Sequence, residues 1–222
     1  MRIDPDAGCT LCPRLRAGIR KSRKDNPEWF NAPVPTWFPP EGPVGVRLLI
    51  LGLAPGFKGA NRTGRAFTGD ASGDLLYPTL IETGFARGIF ENRADDGLEL
   101  VECAISNAVR CVPPGNHPTG AEIATCRKFL IATLKSLPNL ATIVTLGKIA
   151  HDSLVRATGA RLKDHPFGHG AISWIDGIRI VSSYHCSRYN VNTGRLTPEM
   201  FEEIFLEIAG FPARSDGPNR AL

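Results

Sequence analysis

Residues 46–70 read "VRLLILGLAPGFKGANRTGRAFTGD". The stretch runs from a short apolar segment straight into one that holds five glycines, Gly52, Gly56, Gly59, Gly64 and Gly69. An apolar run of this length without alternation reads as a strand buried on both faces. Glycines just beyond it let the chain turn sharply and bring bare backbone close to a ligand. The stretch therefore predicts a ligand site beyond the carboxyl end of a sheet strand.

Three more runs resemble the first: "LVECAISNAV" (100–109), "LATIVTLG" (140–147) and "IRIVSSYH" (178–185). Helical patterns lie between them: "SGDLLYPTLIETG" with Ser72 as N-cap, "PTGAEIATCRKFLIATLKSL" and "GKIAHDSLVRAT". A fourth, "TPEMFEEIFLEIAG", follows the last strand. Alternating strand and helix predicts an α/β fold with a mainly parallel sheet between helices. The stretch 26–43, rich in Pro and aromatics, cannot be a helix. It reads either as an arm laid over the domain or, as the simpler expectation, as a plain connector from the N-terminal helix to the first strand. Residues 1–210 are expected to form one domain, with an N-terminal arm and a flexible tail over 211–222.

A chain of 222 residues with 42% hydrophobic composition is long enough for one well-cored domain. It has no apolar run near the roughly 20 residues that cross a bilayer. "MRIDPDAGC" has no charged-then-apolar leader, so a cytoplasmic location is expected. The net charge of +4 is mild, but Arg14, Arg16, Arg20, Lys21, Arg23 and Lys24 crowd one segment. Such a run is usually a solvated helix face, and charge alone supports nucleic-acid binding only weakly.

The common nucleotide motifs fail in the opening loop. A P-loop needs Lys followed by Ser or Thr, and Lys58 is followed by Gly59. The dinucleotide fingerprint fails because position 54 is Ala. What remains is an aromatic, Phe67, and a carboxylate, Asp70, among glycines. An aromatic face beside backbone amides suits a planar heterocycle. Equally, Phe67 reads as ordinary core and Asp70 as a cap for the helix that starts near Ser72.

Cys9 and Cys12 form a C-x-x-C pair, while Cys111 and Cys126 stand fifteen positions apart. Four thiolates can hold zinc or an iron–sulfur cluster, and a lone C-x-x-C can be redox-active. Cys103 falls inside a strand and takes no role, and Cys186 lies beside a candidate site. In "YHCSRYNVNTGRLT" (184–197) a strand ends at His185, followed by Ser187, Arg188, Asn190 and Arg195. These donors suit phosphates. A polar turn before the helix at Thr197 is the plainer alternative.

Together, "GLAPG", "GANRTGRAFTGDASGDLLYPTL", "NAVRCVPPGNHPT" with Cys126, "CTLCPRL" and "SYHCSRYNVNTGRLT" resemble the uracil-DNA glycosylase superfamily, in particular its iron–sulfur-containing family 5. These motifs span nearly the whole chain. The resemblance implies a three-layer α/β/α fold with a central four-stranded parallel sheet. It implies a structural 4Fe–4S cluster on Cys9, Cys12, Cys111 and Cys126. It also implies that Phe67 stacks on an extruded base, that His185 faces the base carbonyl oxygen, and that Asp70 orients or activates water. Leu53 stands where family 4 members carry Glu. Asn116 and Asn107 are both candidates to read the base, Asn116 ahead, and Ala54 and Gly56 lie beside them. Relatives often have Pro or Val at the position of Cys186.

The expected function is excision of uracil, and of deaminated bases such as hypoxanthine, from DNA by a monomeric enzyme without added magnesium. Arg65, Ser187, Arg188, Asn190 and Arg195 are its expected DNA contacts, and DNA its tie to the nucleoid. The alternative is a non-catalytic or covalently trapping uracil-DNA binder. Such traps carry a nucleophilic His in the opening loop, and residues 57–69 contain none.

Overall fold

A computed structural model describes residues 2–211. Its helices and strands are α1 (Pro13–Asp25), β1 (Leu48–Gly52), α2 (Ala60–Thr63), α3 (Gly73–Glu82), β2 (Ala86–Arg87), β3 (Glu99–Leu100) and β4 (Cys103–Asn107). There follow α4 (Gly120–Lys135), β5 (Thr142–Leu146), α5 (Lys148–Ala157), β6 (Ile172–Ile175), β7 (Ile178–Ser183), α6 (Arg188–Asn192) and α7 (Pro198–Ala209). The main sheet has five strands in the order β4-β1-β5-β7-β6. The four expected strands are its parallel part, and β6 adds an antiparallel edge that the four-stranded expectation lacks. The run 100–109 is not one strand. Glu102, at φ +50°, breaks it, and β3 pairs with β2 in a separate two-stranded sheet.

The apolar runs lack alternation because both faces of β1 are covered. Leu48 and Ile50 pack toward α3 and α7, against Leu76, Leu80, Phe201 and Phe205. Leu49 and Leu51 pack toward α4 and α5, against Leu130, Leu134 and Leu154. These side chains are fully buried, each contributing about 1.5–3 kcal/mol. Helices on both faces of a mixed sheet make a three-layer α/β/α fold.

The stretch 26–43 is an arm after all. Trp37 exchanges two backbone hydrogen bonds of 2.9 Å with Ile105 and covers the free edge of β4. Val34 N donates to Arg110 O at 2.7 Å. A chain bonded to an edge strand cannot be a free connector, so the simpler expectation is corrected. The expected tail loses one residue: Phe211 packs on Trp174 and under the Arg179 guanidinium. The remainder, 212–222, lies outside the described residues.

Candidate active site

The parallel strands end in step. Gly52 pairs with Asn107, and Leu146 with Ser183, so the loops after β1, β4, β5 and β7 open on one side. They surround a cleft of about 780 Å³. Phe67, Asp70, Asn107, Asn116, His185, Ser187 and Arg188 all line it, as do Ala54 and Gly56.

Phe67 is buried and has a left-handed backbone, at φ +52°. That conformation is costly for a bulky residue and persists only where its surroundings enforce it. The ring reaches Gly52, where an added Cβ would meet Phe67 Cζ at 2.7 Å and Asn107 Oδ1 at 2.5 Å. Glycine at position 52 is what lets both side chains converge. The side-chain amide of Asn107 makes no hydrogen bond among the described residues, although the residue is 3% exposed. An unpaired amide at the floor of a cleft is a recognition group in waiting. Asn116 is exposed at the rim, at φ +61°. Both asparagines therefore line the cleft, Asn107 at its buried end after β4 and Asn116 at its rim.

Asp70 lines the cleft from the turn just ahead of α3. Its Oδ1 accepts from Ser72 N at 3.0 Å, a local turn just ahead of α3, whose N-cap Ser72 makes no side-chain cap, so neither residue caps the helix. Its Oδ2 fills the space beside Gly59, where a Cβ would collide with it. The glycines make room for the site's own carboxylate and ring.

His185 follows β7 and is half-buried. Its ring centroid lies 6.0 Å from that of Phe67, tilted by 33°. Burial lowers the imidazole below its ordinary value of 6.5, and the charge of Asp70 opposes that shift. Asn190 Nδ2 donates to His185 O at 2.8 Å, and Ser187 Oγ accepts from Asn190 N at 3.4 Å. Asn190 and Ser187 thus hold the histidine loop, and each keeps a donor hydrogen beyond these bonds.

Arg65, expected as a DNA contact, is corrected by the structure. Its guanidinium is bonded through both nitrogens at 2.7 Å to Asp96 and lies over the rings of Trp37 and Tyr77. Its side chain is 6% exposed, and no phosphate can reach it. Arg188 stays exposed at the cleft rim, and Arg195 is exposed above the Tyr184 ring, 4.5 Å from its centroid. Sequence reasoning missed Lys58, His117 and the turn from Gly147 to Ala150, which also line the cleft. The signal for that turn was present, since it follows β5 as the opening loop follows β1.

Cys9, Cys12, Cys111 and Cys126 line one small apolar cavity with Leu15 and Phe129. Burial pushes the Cys111 thiol up to about 12, and repulsion from Cys126, Cys9 and Cys12 adds to it. Cys12 and Cys126 are raised too, burial first. Such a group tolerates thiolates only with a cation among them. Among the described residues no group of His, Cys, Asp or Glu could hold a single metal ion. Arg110 N donates to Cys126 Sγ at 3.4 Å. Cys103 donates to Phe85 O, and Cys186 is buried in the core with its thiol pushed up to about 12, so neither is poised to react.

A mainly parallel sheet between helices, with an aromatic, an unpaired amide, a carboxylate and a histidine around a cleft at its strand ends, defines an α/β protein with a polar and aromatic cleft. Residues 39–209 match the family model of the Uracil DNA glycosylase superfamily. The chain is 44% identical over 206 residues to a Type-5 uracil-DNA glycosylase of Thermus thermophilus, covering 90% of this chain and 91% of that one. It is 37% identical over 205 residues to the Type-5 uracil-DNA glycosylase of Pyrobaculum aerophilum, covering 90% and 88%. A Type-4 uracil-DNA glycosylase of Thermotoga maritima is 32% identical over 148 residues, covering 66% and 68%. The chain belongs to the uracil-DNA glycosylase superfamily.

Proposed function

We propose that this chain is a monofunctional DNA repair glycosylase that flips uracil out of DNA and hydrolyses its N-glycosidic bond. The observation that carries this reading is the convergence of Phe67, Asp70, Asn107 and His185 on one cleft. An extruded base costs a few kcal/mol of lost stacking, and the Phe67 ring offers a replacement surface. Uracil and hypoxanthine each present an N–H donor beside a carbonyl acceptor, which the Asn107 amide complements with its own oxygen and NH₂. That shared edge supports a base range beyond uracil. As the bond breaks, negative charge grows on the base and positive charge on the sugar. An N–H from His185 to the base oxygen stabilises the anion by about 3 kcal/mol. Asp70 Oδ2 serves the cationic sugar and the incoming water.

Arg188 and Lys58 at the rim, with Arg195 beyond it, hold phosphates, which makes affinity salt-dependent. Cys9, Cys12, Cys111 and Cys126 hold a structural 4Fe–4S cluster that ties the N-terminal arm to the loop after β4. Their shared apolar cavity and the N–H bonded to Cys126 support it.

The test is a panel of uracil and hypoxanthine oligonucleotides, single- and double-stranded, in chelator without magnesium. Alkali-labile abasic sites are expected from uracil strands. An inert wild-type protein overturns the reading, and a denaturant-stable protein–DNA adduct in place of a free abasic product replaces it with the trapping alternative.

A further inference from the structure

The loop 88–98, "GIFENRADDGL", contributes nothing to the lining of the cleft, yet its side chains hold the segment that does. Phe67 at φ +52° and Gly69 at φ +97° make a left-handed turn that brings the Phe67 ring and the Asp70 carboxylate to the same cleft. Two anchors from the loop flank this turn. Before it, Arg65 is bound to Asp96 through both nitrogens. After it, Gly69 N donates to Asn92 Oδ1 at 2.5 Å, while Asn92 Nδ2 donates to Asp74 Oδ1 at 3.2 Å.

We propose that Asn92 is a positioning residue for base excision: its amide, held between the Gly69 N–H and the Asp74 carboxylate, fixes the turn that aims Phe67 and Asp70 into the cleft. This inference rests on the glycosylase reading above. The two anchors differ in kind. Arg65 and Asp96 are buried and belong to the core, so their loss unsettles the fold. Asn92 is half-exposed, and its removal leaves no cavity. What it removes is the partner of an N–H one residue from Asp70. A left-handed aromatic relaxes when its restraints are cut.

The experiment uses the full chain and a uracil duplex, with kcat, KM and melting temperature measured together. Asn92→Ala is expected to lower kcat by roughly 10- to 100-fold while KM stays within about twofold, as for misplaced groups far from the substrate. Because Asn92 is itself left-handed, at φ +59°, Asn92→Ala also melts a few degrees lower but stays folded at assay temperature. Asn92→Asp alone sets two carboxylates together and loses activity too. Combined with Asp74→Asn, it rebuilds both hydrogen bonds with the polarity of the second exchanged, because the introduced carboxylate accepts both from Gly69 N and from the new amide. Activity returning in that double variant supports the proposal, and it also decides the matter should Asn92→Ala fail to fold. An Asn92→Ala protein with wild-type kcat, or a folded double variant as slow as Asn92→Asp, overturns it. Wild-type protein inert on uracil would instead remove the glycosylase reading on which it rests.

Discussion

The imidazole of His185 is pulled two ways, by burial that favours its neutral form and by Asp70 that favours its charged form. Burial wins, so in the free protein the ring titrates below the ordinary 6.5 and is neutral near pH 7. Removing the opposing charge moves it further: Asp70→Ala is expected to lower the His185 midpoint below that of the wild type, as read by NMR of the ring protons. A midpoint that rises in the variant contradicts the assigned cause. Phe67, Asp70 and His185 were legible as candidates because each stands just after a glycine-rich or strand-like run. Their ranking against plainer roles was not, since a cap and a catalytic carboxylate look identical in sequence. Asn107 shows the same limit. The room for its side chain depends on Gly52, more than fifty positions away in the chain and adjacent only in the sheet.

Among the elements, the parallel strands were readable because burial on both faces leaves uninterrupted apolar runs. β6 was not, because Ile172 and Trp174 are half-exposed and its four residues lack any such signature. The loop 88–98 is the harder case. "ENRADD" reads as a solvated turn, yet Asp96 is enclosed because Arg65 meets it from 31 positions away. Burial alone would push Asp96 up, but the bonds from Arg65, Glu91 N and Leu98 N outweigh it and hold the carboxyl at about 2, below the usual 3.8. A depressed carboxyl contributes stability that is complete above 3.8 and is lost as pH falls through about 2. Melting temperature should therefore drop across that interval in the wild type. Asp96→Asn should melt lower at neutral pH and show a flatter acid limb; an unchanged limb would mean that the ion pair contributes nothing there.

For the whole molecule, the decisive question is what holds the N-terminal arm. The four cysteines were legible by position, but only the fold shows them around one cavity. Cys126→Ser is expected to purify with less iron, to lose visible absorbance and to melt lower, with metal analysis and spectra as the measure. Full iron content in that variant would remove Cys126 from the ligand set. The arm has a second attachment, in which Arg14 donates to Glu122 through Nε at 2.8 Å and Nη2 at 2.7 Å, and Nη2 also reaches His117 O at 3.0 Å. Glu122 in turn closes the capping box of α4 with Thr119. These partners stand 108 and 103 positions after Arg14. Chains grow from the N-terminus, so α1 leaves the ribosome with its bonds to Asn31 within reach but long before α4 has been made. Leu15 must wait until Val109 and then Cys126 of α4 follow, so α1 cannot be fully seated until the chain has grown more than a hundred residues past it.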